Sequence, residues 1–494
     1  MGHAVVINAL TDYSPHGSVD YRKSLLLKAT RLAPKKDIFI IATQTLHRSL
    51  AGVTGDLGKI TVNNRTAAHV IARMHKALQG YDEFLYFYID TPLIDTNVAL
   101  KMLSLHRDEI VEYTYGEGFP VGVAPEVLNV DLLPKLVSLV GEDDSEMERN
   151  SIFTLLQKQI NSFDIETYFS TRDLTLRRIA LTLSQERNRL VTERVIEKEG
   201  VDCSFERFCT LVEEEPLILR TLPAYVEVEI TNRLNHPCVY LPHEHLKRKQ
   251  GDMALDQFED MLDRILSFSD DLYLSFSYLG EPLLHPSFRP LVERTIDRKG
   301  VQLIVETDGY LFTPEYSDWA AELHGDALHF IFDVDAVNQD TYERIRGGDL
   351  RRVERNLRYL LAKQTGRVYA QMVRMDSNEA EMLQFYDQWE KDGAQVIVQK
   401  YNRYLDLLPP LSGSDLRPLE RQPCWHVQRD LVVFHDGSVP RCKQDINAEF
   451  LLGNVFKDEL RGIWDGNTTT YLEHCKGTYD RYCTVCDEYY TFNF

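Results

Sequence analysis

Apolar runs are short throughout these 494 residues, and none approaches the ~18 residues that a membrane-spanning helix needs. Positive charge is scarce: 55 Lys and Arg stand against 76 Asp and Glu, a formal net charge of −21. A surface that acidic repels phosphate backbones and anionic headgroups, so neither nucleic acid nor a membrane is expected as a partner. A protein or peptide of unknown identity is the partner left open. The one short basic run, Lys247-Arg248-Lys249, reads as a solvated loop. Low-complexity tracts and solenoid repeats are absent. The N-terminus, Met1-Gly2-His3-Ala4-Val5-Val6-Ile7, enters a strand-like apolar run with no basic leader or small-residue cleavage site, so a cytoplasmic location is expected. In that reducing compartment a disulfide framework is not expected. The eight cysteines are at 203, 209, 238, 424, 442, 475, 483 and 486, and five of them fall in the last 71 residues, a clustering that points to metal. Cys203 and Cys209 read as buried structural thiols.

The length suggests about three or four domains at roughly 100–200 residues each, and the pattern divides the chain at 1–140, 141–222, 223–405 and 406–494. The first stretch alternates apolar strands (His3–Leu10, Asp37–Thr43, Phe84–Ile89) with helical spacing, which argues for an α/β layer with a mostly parallel sheet. The second opens on the polar break Gly141–Ser145. It reads as a helical linker, with Asp173 as a helix cap and apolar residues at 176, 179, 180, 183, 190 and 191 on one face. In the third, strands are predicted over Tyr225–Thr231, Leu272–Ser277, Gln302–Glu306, Leu328–Phe332, Arg367–Met372 and Gln395–Gln399, with a helix over Leu255–Phe268. Six strands with intervening helices suit a partial (β/α) barrel, whose function sits at the C-terminal strand ends. After the break at Leu408–Ser414, the tail reads as a β-hairpin, Leu431–Phe434 and Val439 around Asp436-Gly437, within a Cys-rich segment.

The stretch from Glu229 to Pro242, with Thr231-Asn232-Arg233 and Asn235 after the first barrel strand, resembles the signature of radical SAM enzymes. That family places three cysteines there in a C-x3-C-x2-C motif around a [4Fe–4S] cluster whose open iron chelates S-adenosylmethionine. Here the three places hold Leu234, Cys238 and Leu241. Leucine has no donor atom and one thiolate cannot hold a cubane, so the catalytic cluster is expected to be lost and no catalytic residue is assigned. Three further pieces follow in the family's order: Gly280-Glu281-Pro282-Leu283, Glu306-Thr307-Asp308-Gly309, and Asp333 through Arg346-Gly347. The resemblance makes Gly280 and Glu281 the candidate cofactor-binding residues, since the family's Gly-Glu contacts the amino group of S-adenosylmethionine. With no cluster to anchor the methionine end, retention of that cofactor is doubtful and a strand-end turn with a solvated carboxylate is favoured.

The tail resembles a SPASM extension, with Cys424, Gly437-x4-Cys442, Gly453-Asn454-Val455, Ile463-Trp464 and Cys483-x2-Cys486. The resemblance implies one auxiliary [4Fe–4S] cluster on Cys424, Cys442, Cys483 and Cys486; four thiolates also suit tetrahedral zinc. Cys475 is a spare that could replace Cys424. The head resembles a nucleotidyltransferase-like Rossmann-type domain through Tyr21–Leu26, Asp90-Thr91-Pro92-Leu93 and Gly118–Gly122. Where such enzymes carry a Gly-rich loop with cations, it has Ala9-Leu10-Thr11-Asp12-Tyr13-Ser14-Pro15. The whole layout, with Ser170–Asp173 in the middle, resembles the spiro-SPASM family. The favoured reading is a non-catalytic iron–sulfur binding or scaffold protein. The alternative is an enzyme, either a radical SAM enzyme with an unusual first cluster or a sugar-nucleotide transferase.

Overall fold

The protein is described from a computed structural model covering residues 2–10, 21–141, 145–323, 327–363, 367–413 and 417–491. The chain forms two compact units, Met1–Thr221 and Leu222–Phe494. The expected polar break at 142–144, the loop Thr11–Pro15 and Ser414 lie outside the described residues.

The first unit is built on a seven-stranded sheet of order β3-β2-β1-β4-β6-β5-β7. Its strands are β1 (Ala4–Asn8), β2 (Ile38–Thr43), β3 (Gly58–Val62), β4 (Glu83–Tyr88), β5 (Tyr113–Glu117), β6 (Glu126–Asn129) and β7 (Ile165–Phe169). All neighbours pair in parallel except β6, which is antiparallel to both β4 and β5. The unbroken apolar run of β1 is explained by burial on both faces: Val5 and Ile7 enter one core cluster, Ala4 and Val6 the other. The segment expected as a helical linker is part of this unit. It supplies β7 to the sheet edge, and Val195, Phe205 and Phe208 to the same cluster as Val5. The helix expected after Asp173 is a single 3-10 turn, Thr175–Arg177, ended by Arg178 in the left-handed region (φ 44°). The long helix begins only at Glu186.

The second unit carries β8 (Tyr225–Val228), β9 (Leu272–Phe276), β10 (Val301–Thr307), β11 (Leu328–Asp333), β12 (Val368–Arg374) and β13 (Gln395–Lys400), parallel and in sequential order. This is the partial (β/α) barrel that the alternation predicts. Side chains alternate between faces with period two. One face sends Val226, Leu274, Val305, Phe332 and Ala370 into the barrel core, which the helix Leu255–Phe268 joins through its buried Phe258, Met261, Leu262 and Ile265. The other face carries Tyr225, Tyr273, Ile304, Ile331, Tyr369 and Ile397, one from each strand. Two residues further along each strand, this inner face turns polar: Glu227, Ser275, Glu306, Asp333, Gln371 and Gln399.

The tail differs from the expected hairpin. Its strand β14 (Asp430–Val433) pairs in parallel with β8, adding a seventh strand to the barrel sheet. The partner of β15 (Ser438–Pro440) is instead β16 (Leu451–Asn454). The Asp436-Gly437 turn is present, with Gly437 at φ 81°, but it connects two sheets rather than two strands of one. Leu431 and Val433 are buried in the barrel core, so extending that sheet covers apolar surface that an isolated hairpin would leave wet.

Candidate metal centre and barrel mouth

The loop after β8 keeps its shape through the residues that flank the cysteine places. Asn232, fully buried, donates to Lys249 O (2.9 Å) and accepts from Gly251 N (3.0 Å). Arg233 pairs with Asp252 (2.9 Å) and donates to Leu284 O (2.6 Å). Within that frame Cys238 and Leu241 pack into an apolar cluster with Tyr240, Ile345, Val373, Met375 and Leu408. Burial pushes the Cys238 thiol far up, so it is a neutral packing group. Leu234 lines the cavity at the barrel mouth, of about 110 Å³, together with Cys238 and Leu241.

Glu281 is not the solvated carboxylate expected of a strand-end turn. It is buried, accepts from Thr307 Oγ1 (2.7 Å), Asp308 N (2.9 Å) and Leu283 N (3.1 Å), and so ties the end of β9 to that of β10. Burial, then the neighbouring Asp308 charge, holds it well above the usual carboxylate range. Gly280 is required by close approach, since a Cβ there would lie 2.0 Å from Thr231 O. Both residues line the mouth cavity, but the Glu281 carboxylate is already occupied within the protein.

The polar layer below is knit together by hydrogen bonds and ion pairs. Gln371 donates to Glu306 (2.8 Å) and Asp333 (2.7 Å), Ser277 donates to Glu227 (2.9 Å), and Arg346 pairs with Asp333 (2.6 Å) and with Asp335. Burial raises Glu306 and Asp333. Burial also pushes Glu227 from 4.5 up to about 7, against the opposing pull of Lys443 and Ser277. The folded unit thus keeps a proton on Glu227 that the unfolded chain releases, and stability falls as pH rises from 4.5 through about 7. Glu227→Gln is expected to remove about 2 kcal/mol of that fall, less than the full shift because the cavity admits water. Urea unfolding at a series of pH values, followed by tryptophan fluorescence, checks this: all four tryptophans (319, 389, 425 and 464) lie in the second unit. Equal pH slopes for parent and variant would contradict it.

The tail brings four thiols to one place. Cys424 begins the helix Trp425–Arg429, Cys442 follows β15, and Cys483 and Cys486 lie in and just after the helix Arg481–Val485, whose N-terminus Asp480 caps by accepting from Tyr482 N and Cys483 N. All four line a single cavity of about 340 Å³. Burial pushes Cys424 and Cys483 up to about 12 and raises Cys442 and Cys486 as well. Thiols in such surroundings ionise when a metal takes the proton's place. The same wall carries Arg421, Arg441 and Lys443, cations suited to an anionic occupant. Sequence reasoning passed over Arg441 and Lys443, although they flank Cys442 directly. The spare Cys475 packs beside Cys424, Tyr471 and Tyr489 and is not among the residues lining the cavity. Lys443 and Glu488, 3.7 Å apart, line both this cavity and the barrel mouth.

Two buried or half-buried histidines are tied up within the protein: His426 by Asp430 (2.5 Å) and Glu488 O (3.0 Å), and His329 by Gln302 (3.2 Å). In the first unit, Asp90 is fully buried at the switch point beyond β4. Arg149 donates to both its carboxylate oxygens (2.7 Å each) and lies 4.2 Å over the Tyr88 ring. Cys203 and Cys209 are buried in the first unit's core.

A family model described as an iron-sulfur cluster-binding domain, SPASM, matches residues 424–487, a span that begins on Cys424 and takes in Cys486. The chain is 31% identical over 358 residues to an uncharacterized protein of Treponema pallidum (strain Nichols), covering 69% of this chain and 98% of the relative. It is 23% identical over 247 residues, 50% of this chain and 83% of the relative, to the S-adenosyl-L-methionine-dependent 2-deoxy-scyllo-inosamine dehydrogenase of Niallia circulans. Among solved structures, a cytidylyltransferase from Leptospira borgpetersenii is similar over 44% of this chain and 97% of its own, with 16% identity and a TM-score of 0.38. The chain belongs to the radical SAM/SPASM superfamily of iron–sulfur proteins. Among the described residues, no helix is long and apolar enough to cross a membrane.

Proposed function

We propose that this chain is an iron–sulfur protein that carries one [4Fe–4S] cluster on Cys424, Cys442, Cys483 and Cys486, performs no radical SAM chemistry, and acts as a binding or scaffold protein for a protein or peptide partner. The observation that carries this reading is the contrast between two sites in one unit. The four tail thiols share one cavity, while at the barrel mouth the cysteine places are filled by Leu234, a packed Cys238 and Leu241. A cluster suits the tail better than zinc. Four thiolates would also satisfy tetrahedral zinc; what favours the cluster is the iron-sulfur cluster-binding family model, whose span takes in all four cysteines. Four thiols lining one cavity supply the number of ligands that a cubane takes, and full cysteine ligation leaves no iron open to a substrate. Bound there, the cluster supplies structural cross-linking or electron transfer. For the first unit, the Arg149 clamp on Asp90 speaks against metal-assisted nucleotidyl transfer.

Anaerobic reconstitution followed by iron and sulfide analysis tests the reading, with dithionite and S-adenosylmethionine then added. The expected result is about four irons per chain and no 5′-deoxyadenosine. About eight irons with 5′-deoxyadenosine formed would sink the proposal in favour of a radical SAM enzyme. Zinc without iron would remove the cluster.

A further inference from the structure

Two buried side chains on the cavity wall are unexplained by the four cysteines. His474, 3% exposed, lies in the helix Thr468–Cys475, and neither ring nitrogen has a hydrogen-bond partner among the described residues. Gln444, 4% exposed, stands two residues beyond Cys442, and among the described residues neither its amide nitrogen nor its amide oxygen has a partner. Both line the cavity that the four thiols line. A neutral imidazole carries one N–H donor and a primary amide two. Native proteins rarely bury such donors unpaired, because each gives up its water without replacement. Two side chains orphaned on one wall therefore indicate an occupant that presents acceptors. Thiolate and inorganic sulfide sulfurs are acceptors, and backbone N–H groups of this chain already point at cysteine sulfurs: Glu488 N lies 3.4 Å from Cys486 Sγ.

We infer that His474 and Gln444 donate N–H hydrogen bonds to the sulfur atoms of the cluster held by Cys424, Cys442, Cys483 and Cys486, and so raise its reduction potential. The inference rests on the proposed cluster and adds what sets its redox behaviour. Donors aimed at an anionic cluster stabilise the reduced, more negative form more than the oxidised one, which shifts the potential upward. His474 and Gln444 act as positioning residues: they hold no iron.

The test uses the full chain, reconstituted anaerobically, as parent, His474→Leu, His474→Gln and Gln444→Leu. Iron and sulfide per chain are measured first, then a redox titration followed by electron paramagnetic resonance of the reduced cluster. His474→Leu is expected to keep the parent's iron and to move the reduction equilibrium about tenfold toward the oxidised form, about 59 mV for one electron. Gln444→Leu is expected to shift it the same way, and His474→Gln, which keeps a donor, to stay near the parent. An unchanged potential and resonance in both leucine variants would overturn the inference while leaving the cluster in place. Iron lost from His474→Leu would make the imidazole a ligand or a structural prop and overturn it too. A parent chain that takes up no iron fails at the first measurement, and there the proposed function falls together with this inference.

Discussion

The double variant Cys483→Ala/Cys486→Ala is expected to lose nearly all the iron that the reconstituted parent retains, from about four per chain to less than about one. The two thiols stand within one short segment that Asp480 anchors by accepting from Cys483 N at 2.8 Å, and both face the cavity shared with Cys424 and Cys442. Removing them leaves two thiols, Cys424 and Cys442, on the cavity, and two ligands do not hold a cubane. The variant is expected to stay folded, since neither thiol belongs to a hydrophobic core cluster. Cys238→Ala and Cys475→Ala are the informative controls. Both are expected to keep the parent's iron, because Cys238 packs among Tyr240, Ile345 and Met375, and Cys475 beside Tyr471, away from the cavity wall. Iron analysis decides this directly. Loss of about half the iron in Cys238→Ala would instead mean that a second cluster sits at the barrel mouth.

Arg248→Ala is expected to destabilise the second unit by about 3–5 kcal/mol. Arg248 makes a two-pronged pair with Glu229 (2.6 and 2.7 Å), donates to Ile446 O (2.7 Å) and lies 3.6 Å over the Phe434 ring. Glu229 is fully buried at the end of β8. Deleting the guanidinium leaves that buried carboxylate with, among the described residues, only His435, 3.0 Å away, to answer it. Breaking one side of a buried pair costs far more than replacing both sides, so Glu229→Gln/Arg248→Met is expected to recover most of the loss. Urea unfolding followed by tryptophan fluorescence reads both variants. A change below about 1 kcal/mol in Arg248→Ala, the level of an exposed pair, would contradict the argument. The same arginine ties the segment after Cys442 to the barrel, so iron retention in Arg248→Ala is expected to fall alongside stability.

Local pattern carried most of the architecture. The six barrel strands lie where alternation and β-branched runs predict them, and the helix Leu255–Phe268 has the predicted bounds. Burial on one face imposes a period that any contiguous window displays. The leucines at 234 and 241, the retained Cys238 and the candidate set of four tail cysteines were legible for the same reason: ligand chemistry is carried by residue type.

Contacts distant in sequence were not legible. Lys247-Arg248-Lys249 looks like a solvated run, yet its middle residue is nearly buried, because Glu229 arrives from 19 residues before it and Phe434 from just beyond β14. Glu281 looks like a free carboxylate until β10 brings Thr307 and Asp308 against it. The placing of Cys475 beside Cys424 but off the cavity lining was also tertiary. Neighbours on a helix point about 100° apart, so with His474 facing the cavity Cys475 turns away. The sequence by itself determined the order of elements, the superfamily's motifs and the loss of two cluster ligands, since these depend on residue identity and short-range period. Only the tertiary structure decided that β14 completes the barrel sheet, that Arg149 closes Asp90, and that four particular thiols with His474 and Gln444 enclose one cavity. Each of those depends on long-range pairing and burial, which no local window of the sequence contains.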